Sequence, residues 1–179
     1  MGRSLALAGA LVTLTLSTPS HASADDGGTV RASNGDPYAQ CTQPGQQGIN
    51  YKQAEVEPYI AANPADDSNV IAVFQQDRWN NGGARGDVAA WSTDGGRTFH
   101  DSTLPFTRCA RDGLAFDRAG DPWVSIGPDG IAYASGTARA CSDTCSAMVT
   151  SAIVVSTSRD GGRTWARARI VDQQQTTDQ

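Results

Sequence analysis

Charged and aromatic residues occur together in one glycine-rich stretch, where they have the composition of a ligand-binding loop. Asp77, Arg78 and Trp79 follow an apolar run and precede NNGGARGD. Loops that follow strands often carry binding residues. In such a loop a carboxylate and a guanidinium form charge-assisted hydrogen bonds, and an indole ring stacks on a sugar. A surface hairpin with a local ion pair is the alternative interpretation of the same residues.

Two acids occupy equivalent positions in a repeated motif. Glu57 begins EPYIAANP, and Asp121 begins DPWVSIGP 64 residues later. The repetition favours an architectural role, such as hydrogen bonding to the backbone of a neighbouring repeat. The alternative is that both carboxylates line a central channel.

Arg108 and Arg111 flank Cys109, so a disulfide at Cys109 would fix their positions. The alternative is that both arginines are solvated charges of a loop.

An octapeptide occurs twice, as STDGGRTF at 92–99 and SRDGGRTW at 158–165. Asp-Gly between alternating strands is a strong hairpin signal, and glycine adopts positive φ without a steric cost. The aspartate accepts hydrogen bonds from its own turn, and the final aromatic packs on the sheet. Every position has a structural reason, so we predict turns without a catalytic role. The residues concerned are Ser92, Asp94, Gly96, Thr98 and Phe99, and Ser158, Asp160, Gly162, Thr164 and Trp165.

The four cysteines predict two disulfides, because an even count in an exported chain favours pairing. We expect Cys141 to pair with Cys145 across a short loop, and Cys41 with Cys109, although three pairings exist in principle. Histidines are absent near these thiols, so we predict no metal site. No motif for a cofactor is present either.

These residues must be positioned by short strands. Alternating or apolar runs bounded by Gly, Pro and Asp are typical of strands. They predict four strands per repeat, over 57–62, 69–76, 87–92 and 97–100, then 121–126, 130–136, 151–157 and 163–171. Repeat one covers about 55–110 and repeat two about 111–179. Such repeats predict an all-β fold of the β-propeller type. Because a ring needs more blades than two, we expect the N-terminal fragment of a longer propeller, and the assembly of several copies is the alternative.

The start of the chain has the features of a secretory signal peptide over residues 1–24. Arg3 precedes an apolar run, and Ala22-Ser23-Ala24 fits a cleavage site. We therefore expect a secreted protein, with an irregular arm over 25–54 and the partial propeller over 55–179. The formal net charge is −5, which disfavours nucleic acid and anionic membranes as partners.

The octapeptides resemble the Asp-box (BNR) repeats of the sialidase superfamily. The pattern Ser-x-Asp-x-Gly-x-Thr-Trp fits twice, with Phe99 replacing tryptophan in the first copy. EVEPYIAANP and DPWVSIGPDG also look like secreted bacterial proteins of exo-α-sialidase-like type. The resemblance covers about residues 55–171. It implies a six- or seven-bladed propeller in which Asp boxes are peripheral turns.

The resemblance implies a glycoside hydrolase with a tyrosine nucleophile and an arginine triad. This sequence lacks the Arg-Ile-Pro motif that carries the first triad arginine, so no catalytic residue is assigned. We expect a sialidase-like hydrolase that is inactive as this fragment, or a non-catalytic propeller that binds glycans or protein surfaces. The candidate glycan-binding residues are Asp77, Arg78, Trp79, Glu57, Asp121 and Arg108. No membrane partner is expected after signal cleavage.

Overall fold

The computed structural model describes residues 28–43, 45–142 and 147–175, and all regular elements within them are strands. This confirms the all-β prediction. The predicted signal peptide and Cys145 lie outside the described residues. The strands are β1 (Asn50–Asn63), β2 (Asp66–Trp79), β3 (Ala84–Ser92), β4 (His100–Thr103), β5 (Arg118–Ile126), β6 (Ala132–Cys141), β7 (Met148–Ser158) and β8 (Arg169–Gln175).

The eight strands form one open antiparallel sheet in the order β1-β2-β3-β5-β6-β7-β8, with β4 paired to β3. Within it, β1–β4 form a first meander and β5–β8 a second. The two meanders are joined by a single pair of residues, Ala84 and Ala119. The division of the chain into repeats over about 55–110 and 111–179 stays a prediction, and closure of blades into a propeller stays a proposal.

The final strand of each meander begins later than the sequence indicates. β4 begins at His100 and β8 at Arg169, whereas the predicted segments begin at 97 and 163. The reason is that the octapeptide turn continues through Thr98 and Thr164, whose backbone N–H groups bond to an aspartate and not to a neighbouring strand.

The main core lies between the two meanders. Ile71 and Val73 of β2 pack in one cluster with Val124 of β5 and Val154 of β7. Buried residues alternate with more exposed ones along β6 and β7, as expected for strands with one covered face. The opposite face of the second meander exposes large apolar side chains, among them Tyr133 and Ile153.

The N-terminal arm covers the other face of the first meander. Tyr38 is 1% exposed, and its hydroxyl donates a hydrogen bond to the carbonyl of Asp87 at 2.7 Å. A Cβ on Gly86 would meet the Tyr38 ring at 2.5 Å, so the close approach of this ring requires glycine. A disulfide joins Cys41 to Cys109, which confirms that predicted pair. The predicted pair Cys141–Cys145 stays a prediction, because Cys145 lies outside the described residues.

Candidate functional site

The two repeated acids lie on the first strand of each meander, and a hydrogen bond joins one to the other. Glu57 of β1 and Asp121 of β5 both have left-handed backbone angles, with φ of 56° and 51°. The strand register shifts at both places. A non-glycine residue in this region costs about 1–2 kcal/mol, and such strain clusters at functional sites. The Glu57 carboxylate accepts a hydrogen bond from the Asp121 backbone N–H at 3.3 Å.

Each carboxylate is also held by a side chain of a neighbouring strand. Gln75 of β2 donates its amide to Glu57 Oε2. Thr137 of β6 donates its hydroxyl to Asp121 Oδ2 at 2.9 Å. Both acids remain exposed, so each is oriented by the sheet and still presents oxygen atoms to solvent.

Two aromatic rings stack next to these acids. Tyr59 and Trp123 follow Glu57 and Asp121 by two residues, and their ring centroids are 3.5 Å apart with an interplanar angle of 24°. Trp123 is 53% exposed. The first strands of the two meanders therefore bring two acids into contact and, two residues further along each strand, two aromatic rings. We call Glu57, Tyr59, Asp121 and Trp123 the β1/β5 surface.

A third carboxylate lies buried behind the β1/β5 surface. Asp87 of β3 is fully buried, and neither of its oxygens has a hydrogen-bond partner among the described residues. Burial raises the pKa of Asp87 well above its usual range, and the charges of Asp121 and Glu57 raise it further. Its Oδ2 points towards β6, where a Cβ on Gly136 would lie 3.0 Å away. The site therefore favours a proton on Asp87.

The predicted loop residues Asp77, Arg78 and Trp79 belong to the end of β2. Asp77 is fully buried and forms an ion pair with Arg85 at 3.2 Å. Arg78 donates to the carbonyl of Gly83 in its own turn. Trp79 is 7% exposed. These three side chains stabilise the end of the hairpin and leave little surface for a ligand.

Arg108 lies apart from the other candidates. Its Nε is 3.0 Å from Asp117 Oδ1, and Nη2 donates to the carbonyl of Ala115. Its guanidinium thus holds the loop that precedes β5. Of the six candidate residues, the structure brings together Glu57 and Asp121.

Both octapeptides form the same hydrogen-bonded turn. In the first, Asp94 accepts bonds from Ser92 Oγ at 2.7 Å, Thr98 N at 2.9 Å and Thr98 Oγ1 at 2.6 Å. Bonds from Thr98 and Ser92 lower the pKa of Asp94. In the second, Asp160 accepts bonds from the equivalent atoms at 2.8, 2.9 and 2.5 Å.

The second turn also packs against the first meander. Asn69 Nδ2 donates to the carbonyl of Gly161 at 3.0 Å, and Ser102 Oγ donates to that of Gly162 at 2.6 Å. The Trp165 indole N–H donates in turn to Ser102 Oγ. All of these groups are satisfied within the protein, so the turns act as joints of the scaffold.

Sequence reasoning missed Asp87 and the aromatic stack, although each leaves a signal. Asp87 is a charged residue inside the apolar strand RGDVAAWS, which is typical of an acid with a specific environment. Tyr59 and Trp123 occupy the same position of the repeated motif. Their rings stack because the first strands of the two meanders contact each other at equivalent positions, although these strands do not pair in the sheet.

Within the described residues no group of three or more His, Cys, Asp or Glu side chains is arranged to hold a metal ion. The same residues contain no helix of the length and apolarity needed to cross a membrane.

No family model matches the chain. No curated protein matches it either. Solved structures similar to it include the Hadza microbial sialidase Hz136, with a TM-score of 0.49, 17% identity, and coverage of 69% of this chain and 26% of that one. Another is a protein of unknown function from Dyadobacter fermentans DSM 18053, with a TM-score of 0.45, 15% identity, and coverage of 69% and 40%. The chain thus spans about a quarter of the first protein and about two fifths of the second.

Proposed function

We propose that the chain is part of an exported propeller of the sialidase type, that its octapeptide turns are Asp boxes, and that the β1/β5 surface binds glycans. The Cys41–Cys109 disulfide supports export, because disulfides persist in oxidising compartments. The two successive four-stranded meanders support the propeller, since each has the strand number and pairing of one blade.

The observation that carries glycan binding is the stacked pair Tyr59–Trp123 beside two oriented carboxylates. An exposed aromatic ring offers a flat apolar face to the C–H groups of a sugar. Carboxylate oxygens accept strong hydrogen bonds from sugar hydroxyls. A ligand site typically combines such apolar faces with a few fixed polar groups. Glu57 and Asp121 are fixed by Gln75 and Thr137 before any ligand arrives.

The charge of the β1/β5 surface favours uncharged sugars. Glu57 and Asp121 are both exposed, and a sialic acid carboxylate placed beside them would be repelled. The buried Arg85 guanidinium is paired with Asp77 within the protein, so it does not offset this repulsion. We therefore expect this surface to prefer a neutral oligosaccharide over its sialylated form.

Glycoside hydrolysis is the second candidate, and Asp87 favours it. A buried carboxyl group whose pKa is raised, close to two exposed carboxyl groups, has the arrangement of a general acid with its bases. The burial of Asp87 sets a condition for this role, because a substrate must displace the Gly136 region of β6 before it can touch the acid.

Calorimetric titration of the purified chain with neutral oligosaccharides tests the binding proposal. We expect Trp123→Ala and Tyr59→Ala each to weaken binding by about tenfold, as lost stacking on a buried sugar face implies. Tyr51→Ala is the matched control, because Tyr51 is 51% exposed on the same strand as Tyr59 and lies outside the stack. Its affinity should stay within about twofold of the wild type.

Thermal unfolding of each variant verifies that the fold is retained. Equal affinity for Trp123→Ala and wild type would contradict glycan binding at this surface. A stronger affinity for the sialylated sugar would contradict the charge argument and favour the hydrolase of sialosides.

A further inference from the structure

A second candidate surface lies along β4. It forms a groove of about 850 Å³ between β4, the loop that follows the disulfide, and the second octapeptide turn. We call it the β4 groove. Its lining includes Ser102, Thr103, Arg111, Arg163, Trp165 and Arg167. The proposed glycan surface uses none of these residues.

Three arginines face the β4 groove against two acids. Arg111 and Asp112 form an exposed ion pair at 3.8 Å. Exposed ion pairs are weak, so Asp112 does little to hold the Arg111 guanidinium away from a ligand. The second acid, Asp101, accepts a hydrogen bond from the Asn34 backbone at 2.8 Å. The lining therefore carries one more guanidinium than carboxylate, in a chain whose formal net charge is −5.

The arginines are positioned by the fold. The Arg163 guanidinium lies 4.7 Å from the centroid of the Trp91 ring and donates to the carbonyl of Asp160 at 2.6 Å, which leaves its remaining N–H groups for a ligand. Arg111 follows Cys109 by two residues, so the disulfide to Cys41 anchors its loop. Such orientation lowers the entropy that a guanidinium loses when it binds.

Arg167 differs from the other two because no part of the described chain pairs with it. It makes neither a hydrogen bond nor an ion pair within residues 28–43, 45–142 and 147–175, and it is exposed. Beside it, the Trp165 ring is held by its indole N–H bond to Ser102 Oγ. The groove therefore combines free cationic donors with an anchored aromatic side chain.

We propose that the β4 groove binds the oxyanion of an acidic glycan, either a sulfate or a uronate carboxylate. Guanidinium groups recognise both oxyanions through paired N–H donors. The anchored indole and the Thr103 hydroxyl contact the adjoining sugar. A neutral sugar would leave the three arginines without a partner, so the acidic group determines binding at this groove.

Calorimetric titration of the purified chain at low ionic strength tests the proposal. The probes are a sulfated oligosaccharide, a uronate oligosaccharide and a neutral oligosaccharide of equal length, with inorganic sulfate as the smallest oxyanion. We expect the affinity of at least one acidic probe to fall as salt is added, whereas that of the neutral probe, which the β1/β5 surface binds, should not change with salt. The acidic probe that binds identifies the oxyanion.

Arg163→Gln and Arg167→Gln should each lower the affinity for the acidic probe by at least about tenfold, since a charge-assisted hydrogen bond is lost. Arg97→Gln is the matched control. Arg97 is the equivalent of Arg163 in the first turn and makes the same bond, to the carbonyl of Asp94 at 2.7 Å, yet it lies outside the groove. Its affinity should stay within about twofold of the wild type.

Arg167→Gln removes no contact within the described chain, so a change in its affinity reports on ligand binding and not on lost stability. Unchanged affinity of the acidic probe in Arg167→Gln, equal weakening in Arg97→Gln, or an affinity of every acidic probe that does not change with salt would each overturn the proposal. None of these results would bear on Tyr59 and Trp123, so failure here is distinguishable from failure at the β1/β5 surface.

Discussion

Gly162 of the second octapeptide turn and Gly96 of the first form a matched pair that measures how tightly each turn packs. Their φ values are 93° and 85°, so alanine carries a similar backbone cost of about 1–2 kcal/mol at both. The surroundings differ. An added Cβ at Gly162 would lie 3.0 Å from both Ile71 Cδ1 and Trp91 Cβ, whereas at Gly96 the nearest atom is Phe99 Cζ at 3.7 Å.

Overpacking of a core contact costs about 1–3 kcal/mol. We therefore expect Gly162→Ala to lose about 2 kcal/mol more than Gly96→Ala, with a melting temperature roughly 6 °C lower. Urea unfolding followed by tryptophan fluorescence measures the difference, provided that both variants show the same dependence on urea. Equal losses would refute the conclusion that the second turn is a packed joint between the two meanders.

Four further outcomes are expected from the structure. Burial and neighbouring carboxylates raise the pKa of Asp87, so the folded chain holds this proton more tightly than the unfolded chain. The contribution of Asp87 to stability is therefore fully present below about pH 4 and is lost as the pH rises towards its raised pKa. Asp87→Asn should reduce that loss, and an unchanged pH profile in urea unfolding would contradict it. Replacing Cys41 and Cys109 by alanine opens a link with a sequence separation of 68, which should cost up to about 4 kcal/mol in denaturant unfolding; no loss would show that the arm is held by packing alone. Asp160→Asn removes the acceptor for the Thr164 hydroxyl, so it should cost about 1 kcal/mol by the same assay, and a neutral effect would count against the turn network. A fluorogenic sialoside should not be turned over by this chain, because Glu57 and Asp121 repel the sialic acid carboxylate at the β1/β5 surface, and measurable hydrolysis would contradict that charge argument.

The repeated motifs made the strand arrangement predictable from the sequence. Paired copies such as EPYIAANP and DPWVSIGP indicated two units of strands, and the structure contains two four-stranded meanders. The late start of β4 and β8 was not predictable from apolar patterning. It depends on the side chains of Asp94 and Asp160, which hold the backbone N–H groups of Thr98 and Thr164 outside the sheet.

The site was predictable in part. Glu57 and Asp121 could be found because repetition marks equivalent positions, but their left-handed φ values depend on strand bulges that no local pattern indicates. The burial of Trp79 could not be read from its glycine-rich surroundings. It results from the Arg118 guanidinium, which lies 4.7 Å from the ring and comes from a strand distant in sequence.

The indole resonances of the tryptophans offer the most direct test of glycan binding at the β1/β5 surface. The chain contains four tryptophans, and Trp123 is the one that is 53% exposed. In a nitrogen–proton correlation spectrum of the purified chain titrated with a neutral oligosaccharide, we predict that the Trp123 indole signal shifts with ligand while the signal of buried Trp79 stays in place. A titration to millimolar sugar that leaves the Trp123 signal unmoved would contradict the account.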